Sequence, residues 1–168
     1  MRERELPTED PVALRAHHLL CLLGFRGLGY SPEFTGNMTR IAARLRAHPA
    51  TRIRLRARPD DICAACPHLA GGCRQDGPES ERRSRRRDRA VLSGLRLRSG
   101  EETSWREALL GLAQAFSPDD IARVCAPCRW LERGYCAQGL AHLTATGAPK
   151  NWSFSPDSPA ASSAQRSA

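Results

Sequence analysis

Long hydrophobic runs are missing from this chain of 168 residues. The longest, Leu19 to Phe25, contains Cys21 and Gly24. It falls far short of the roughly 20 residues that cross a bilayer, so no membrane span is expected. No apolar stretch follows Met1-Arg2-Glu3-Arg4-Glu5, so the sequence predicts no secretory leader and a cytoplasmic, reducing setting. Aromatics are scarce, with four Phe, three Trp and two Tyr; the core must come mainly from Leu and Ala. Lysine is nearly absent, and the net charge of +8 rests on 25 Arg beside Lys150. An arginine bias of this kind follows from GC-rich coding as readily as from an acidic ligand, so charge alone identifies no partner. There is no GxGxxG, no phosphate loop and no nucleophile elbow, which removes the commonest nucleotide-binding and hydrolase readings.

Cysteine is what the chain has in excess, with seven residues, six of them in two compact groups. The first is Asp60-Asp61-Ile62-Cys63-Ala64-Ala65-Cys66-Pro67-His68, with Cys73 following. The second is Asp119-Asp120-Ile121, then Cys125-Ala126-Pro127-Cys128, with Cys136 following. Both read Asp-Asp-Ile, CxxC and one further Cys. A CxxC step turns the backbone so that two thiolates converge on one centre and nearby amides reach the sulphurs. Two such steps without a secretion signal point to metal ligation rather than to disulfides or bare redox thiols. The seventh, Cys21, sits in His17-His18-Leu19-Leu20-Cys21, where either His shares a helical face with the thiol. It is either a ligand or a small core residue.

Each group offers three thiolates, whereas a Cys-ligated zinc or a four-iron cluster normally takes four ligands. Cys21 could complete one group, leaving the other to a His, an oxygen ligand or an open iron site. A second partition joins Cys63, Cys66, Cys125 and Cys128 around one metal and leaves Cys21, Cys73 and Cys136 over. His68 is read as a loop residue in preference to a ligand. The spacing matches neither the bacterial ferredoxin run nor the Cys and His pairing of zinc fingers.

Hydrophobic periodicity predicts a helix from about 12 to 23, ending at a glycine-rich turn. Ser31-Pro32-Glu33 starts a second, whose buried face is Phe34, Met38, Ile41 and Leu45. Residues 52 to 58 alternate arginine with Ile53, Leu55 and Ala57, a short strand. A helix over about 83 to 95 follows the basic run Arg82 to Arg89. Ser104 with Glu107 forms a capping box for a helix bearing Trp105, Leu109, Leu112 and Phe116. Ser117-Pro118-Asp119 starts a short helix into the second cysteine group, and a last helix covers about 138 to 144. The acid pairs are expected to cap amides.

The stretch Arg15 to Pro32, with Asp61-Ile62-Cys63, Cys66-Pro67-His68, Cys125, Cys128, Trp130 and Gly134-Tyr135-Cys136, resembles the bacterial and archaeal family catalogued as domain of unknown function 1284. The resemblance spans roughly residues 13 to 142. Members are suspected of binding iron-sulphur clusters, so the resemblance implies iron ahead of zinc and nothing about substrate. The Arg82 to Arg87 run and the serine-rich tail lie outside the recognised pattern.

The expected protein is therefore mainly α with a minor short β element, a small single domain stapled by cysteine-ligated metal. Its parts are a flexible N-terminus (1–11), a cysteine-rich metal-binding domain (12–152) and a disordered tail (153–168). The seven cysteines are the expected ligands of an iron-sulphur cluster, of 4Fe-4S type, with zinc as the alternative. Electron transfer or redox sensing with a redox partner protein is the first functional reading. A zinc-stabilised module whose arginine surface meets nucleic acid or an acidic partner is the second. A cluster enzyme with an open iron site is the third.

Overall fold

The computed structural model describes residues 10–147. The tail assigned to 153–168 and most of the N-terminal segment assigned to 1–11 fall outside the described residues.

The sheet begins where a helix was expected. Val12–Arg15 is a strand, β1, and the first helix, α1, occupies only His18–Gly24. Val12 and Leu14 are buried, and β1 pairs in parallel with β2 (Arg52–Arg56), from Val12 opposite Ile53 to Arg15 opposite Arg56. Two acids add to that pairing. The Ala13 amide donates to Asp61 Oδ2 at 2.8 Å and the Arg15 amide to Asp60 Oδ2 at 2.6 Å. The apolar positions of 12 to 23 fit a helix on spacing, but tertiary pairing claims the first four for the sheet.

In β2, Ile53 and Leu55 are wholly buried while Arg52 and Arg54 face solvent, as the alternation predicts. Its other edge carries the three-residue strand β3 (Glu102–Ser104), antiparallel and absent from the sequence reading. Glu102 of β3 accepts from both Arg52 and Arg54.

Helix α2 (Pro32–Ala47) starts as expected, the Ser31 hydroxyl accepting the Phe34 amide at 3.1 Å. Helix α3 (Ser80–Leu95) begins three residues earlier than its basic run suggested. Helix α4 (Trp105–Ala115) has both halves of the Ser104–Glu107 capping box. Short α5 (Asp120–Cys125) has Asp119 rather than Ser117 at its N-cap position, and α6 (Tyr135–Thr146) is longer than predicted. Leu19, Leu20, Leu23, Leu109, Leu112, Leu140 and Leu143 with Trp105 form the core, leucine-rich as composition required. No helix among the described residues is long and apolar enough to cross a membrane.

Helices α1 and α6 touch through glycine. A Cβ on Gly139 would lie 2.3 Å from the Leu23 carbonyl oxygen, and one on Gly24 would lie 2.5 Å from the Cys136 nitrogen. Only two bare backbones approach this closely, and the contact sets Cys21 of α1 beside Cys136 of α6.

Candidate metal centre

All seven cysteines line one cavity of about 140 Å³, together with His17 and His18. None is disulfide-bonded. They arrive from separate elements: Cys21 from α1, Cys63 from a single 3₁₀ turn (Cys63–Ala65), Cys66 and Cys73 from the loop after it, Cys125 from the end of α5, Cys128 from the following loop and Cys136 from α6.

Within the cavity four of the thiols influence one another directly. The Cys21 thiol donates to the Cys136 sulphur, which drives the Cys21 pKa well up and the Cys136 pKa down; burial and the Cys128 and Cys125 sulphurs raise Cys21 further. Cys125 is pushed up to about 12 by burial and by Cys136 and Cys128, with Arg87 opposing. Cys21, Cys125, Cys128 and Cys136 therefore share one electrostatic environment. Burial and the Asp60 carboxylate raise Cys63, the sequence neighbour of Cys66 and Cys73. Burial raises Cys66, with a smaller push from Cys73, and the His68 amide donates to its sulphur. Crowded sulphurs with raised pKa values suit a cation, because a bound metal reverses the penalty on each thiolate.

Buried carboxylates hold both histidines by the same atom. His17 Nδ1 lies 2.6 Å from Asp88 Oδ1, and His18 Nδ1 lies 2.7 Å from Asp60 Oδ2. Each carboxylate calls for a proton on Nδ1, which leaves Nε2 as the lone-pair nitrogen. Neither Nε2 has a protein hydrogen-bond partner among the described residues. Burial lowers His17 to about 4, helped by His18, so at neutral pH that ring is an uncharged donor to Asp88. Burial alone would raise Asp60, but His18 and the Arg15 and Cys63 amides hold its carboxyl well below the usual range.

An ion network braces this wall. Arg15, 1% exposed, reaches Asp88 through Nε at 2.9 Å and Glu81 through both terminal nitrogens at 3.0 and 3.2 Å. Burial lowers the Arg15 pKa, yet Glu81 and Asp88 outweigh it and hold the guanidinium charged. Glu81 Oε2 accepts the Cys73 amide at 2.7 Å. Thus β1, α3 and the Cys73 loop are tied by charge-assisted bonds.

The donors present fit an anionic centre. Arg87 Nε and Gln75 Nε2 are buried with no acceptor, and both residues line the cavity. Arg87 is 8% exposed. Buried unpaired donors are costly in an apolar setting, and sulphurs carrying net negative charge would satisfy them.

His68 lies in a turn off the cavity wall, its ring edge-on to Tyr30 at 5.1 Å. Tyr30 also takes the Trp130 indole N–H at 3.0 Å, so it touches the loops of both cysteine groups. Arg86 and Arg87 turn to the carbonyls of Ala126 and Pro127 inside the second CxxC, and burial of Arg87 removes one arginine from the expected basic surface. The sequence reading missed Arg15, Glu81, Arg87 and Asp88. Their signal was present: Glu81, Ser84 and Asp88 recur at three and four residues, and Ser84 and Asp88 are buried, so one face of a basic helix is not basic.

Fold and site together define a small cysteine-rich domain of helices on a three-stranded sheet, built around a thiol-lined cavity. The chain belongs to the family described as Protein of unknown function (DUF1284), whose model matches residues 29–134. Comparison with curated proteins gives no match, and comparison with solved structures gives none. The matched segment holds Cys63, Cys66, Cys73, Cys125 and Cys128; His17, His18, Cys21 and Cys136 lie on either side of it.

Proposed function

We propose that this chain is an iron-sulphur protein with two centres of the four-iron type, serving electron transfer or redox sensing. The observation that carries the reading is the convergence of all seven cysteines on one cavity. Two further features support it. The unpaired Arg87 and Gln75 donors suit a buried anionic cluster. Four thiolates on one zinc would sit roughly 3.8 Å apart, given a bond near 2.3 Å. Among the described residues the one trio of ligand-type atoms within 4.8 Å of one another is His18, Asp60 and Cys63, so no set of four sulphurs is closed to that spacing.

When bound, such clusters accept and release single electrons. Cys21, Cys125, Cys128 and Cys136 would hold one and Cys63, Cys66 and Cys73 the other, with amides such as that of His68 setting the potential. A zinc-stabilised module meeting nucleic acid is the weaker reading: Arg52 and Arg54 face Glu102, and Arg82 and Arg85 pair with Glu79 and Glu81.

Anaerobic purification followed by an absorption spectrum and metal analysis tests the proposal. Brown protein with a broad band near ~400 nm and iron matched by sulphide is expected. Colourless protein with stoichiometric zinc would replace the cluster reading with the zinc module. Replacement of Cys63 or Cys125 by Ser is expected to lower metal content and solubility together.

A further inference from the structure

We infer that His18 is the fourth ligand of the first cysteine group, binding metal through Nε2 beside Cys63, Cys66 and Cys73, with Asp60 as its positioning residue. The inference deepens the two-centre reading and rests on it for the presence of a metal, though not for which metal.

The second group has four thiols once Cys21 joins it, and the first has three. His18 stands at that shortfall: a ring nitrogen of His18 and the Cys63 sulphur are members of the compact trio with Asp60, and His18 lines the cavity with all three thiols. Asp60 itself is occupied. Its Oδ1 accepts the Cys63 amide at 2.8 Å, and its Oδ2 accepts both the Arg15 amide and His18 Nδ1. A carboxylate carrying three hydrogen bonds at 0% side-chain exposure acts as a brace rather than a ligand. Carboxylate to Nδ1, with Nε2 left for metal, is the arrangement that fixes the tautomer and the ring plane of a metal-bound histidine. The same Asp60 fixes the Cys63 backbone, so one side chain sets the relation of two ligands. His17 is held likewise, but by Asp88 on α3, and it is not a member of the compact trio with Cys63.

Two consequences follow. A first centre closed by His18 has no open iron, which favours electron transfer over substrate binding at the cluster. Replacing thiolate by neutral imidazole also removes negative charge, so this centre takes an electron more readily than its all-thiolate neighbour.

The test compares wild-type chain, His18→Cys and His18→Ala after anaerobic reconstitution with iron and sulphide, reading iron content and pulsed electron paramagnetic resonance on ¹⁵N-histidine-labelled protein. Directly bound histidine nitrogen is expected in the wild type. His18→Cys is expected to keep full iron, lose the nitrogen coupling and show a lower potential, while His18→Ala loses about half the iron. Full iron in wild type with no nitrogen coupling, or a coupling that survives in His18→Cys, overturns the ligand assignment and leaves the cluster reading standing. If the chain takes zinc instead, the cluster reading fails. X-ray absorption at the zinc edge then decides the assignment: with both centres filled, an average of about half a nitrogen per zinc upholds it, and sulphur alone overturns it. A chain that holds neither metal overturns both.

Discussion

Asp60 takes hydrogen bonds from the Arg15 amide, the Cys63 amide and His18 Nδ1, so a single atom change there reaches two cysteine-group elements and β1. In Asp60→Asn one oxygen becomes an NH₂ that confronts an existing donor, whichever way the amide is turned. We expect metal affinity to fall 10–100-fold, about the range for lost outer-shell partners of ligands, measured by chelator competition. Asp61→Asn is the control, because its Oδ2 bond to the Ala13 amide is exposed and should change affinity little. Sequence could assign both acids to amide capping, and both do cap amides. It could not separate them, nor separate them from the acids of the second repeat, where Asp120, at the position matching Asp61, closes only the local Ser117 turn. Partners 45 residues apart, such as Arg15 and Asp60, leave no mark in local spacing.

Helices legible from their own termini were read well, and those whose limits depend on a distant partner were not. Ser104 and Glu107 announce α4 because both halves of the box are local. Hydrogen bonds from the Ser104 amide and hydroxyl, then from Thr103, hold the Glu107 carboxyl below its ordinary value. A lowered folded-state pKa adds stability above the unfolded pKa, near 4.3, that is lost as pH falls through the folded one. Glu107→Gln should therefore flatten the acid limb of a pH–stability curve below about pH 4.5, and Ser104→Ala should cost about 1 kcal/mol in denaturant unfolding. The α1–α6 contact offers a test in which two effects oppose. Alanine inside a helix normally gains about 1 kcal/mol over glycine. At Gly139 its Cβ would meet the Leu23 carbonyl oxygen at 2.3 Å, and overpacking costs about 1–3 kcal/mol. Gly139→Ala should thus be net destabilising and lower metal retention with it; a stabilised variant would show that α1 and α6 can part freely. The strand Val12–Arg15 belongs to the opposite class, since its helix-compatible pattern gives way to a pairing with residues about forty positions away.

Over the whole molecule, thiols and two histidines occupy the place where a larger domain would put apolar side chains. The chain has few aromatics to fill the gap, so metal binding and folding should be one linked equilibrium. Stripping metal with a chelator under anaerobic, reducing conditions should lower the thermal midpoint by about 10 °C or more, taking roughly 4 kcal/mol of linkage at a thousandfold excess over the dissociation constant and about 2–4 °C per kcal/mol. An unchanged midpoint would mean that the cavity stands without its occupant. Sequence displayed two cysteine groups and a stray cysteine, but the meeting of all of them is a property of topology, because α1 and α6 lie at opposite ends of the described chain. That separation orders events on the ribosome. His18, Cys63, Cys66 and Cys73 have all been made by residue 73, whereas Cys21 waits for Cys136. At roughly 5–20 residues per second the interval lasts seconds, during which the proposed first ligand set is complete in the nascent chain and the proposed second is short of three thiols.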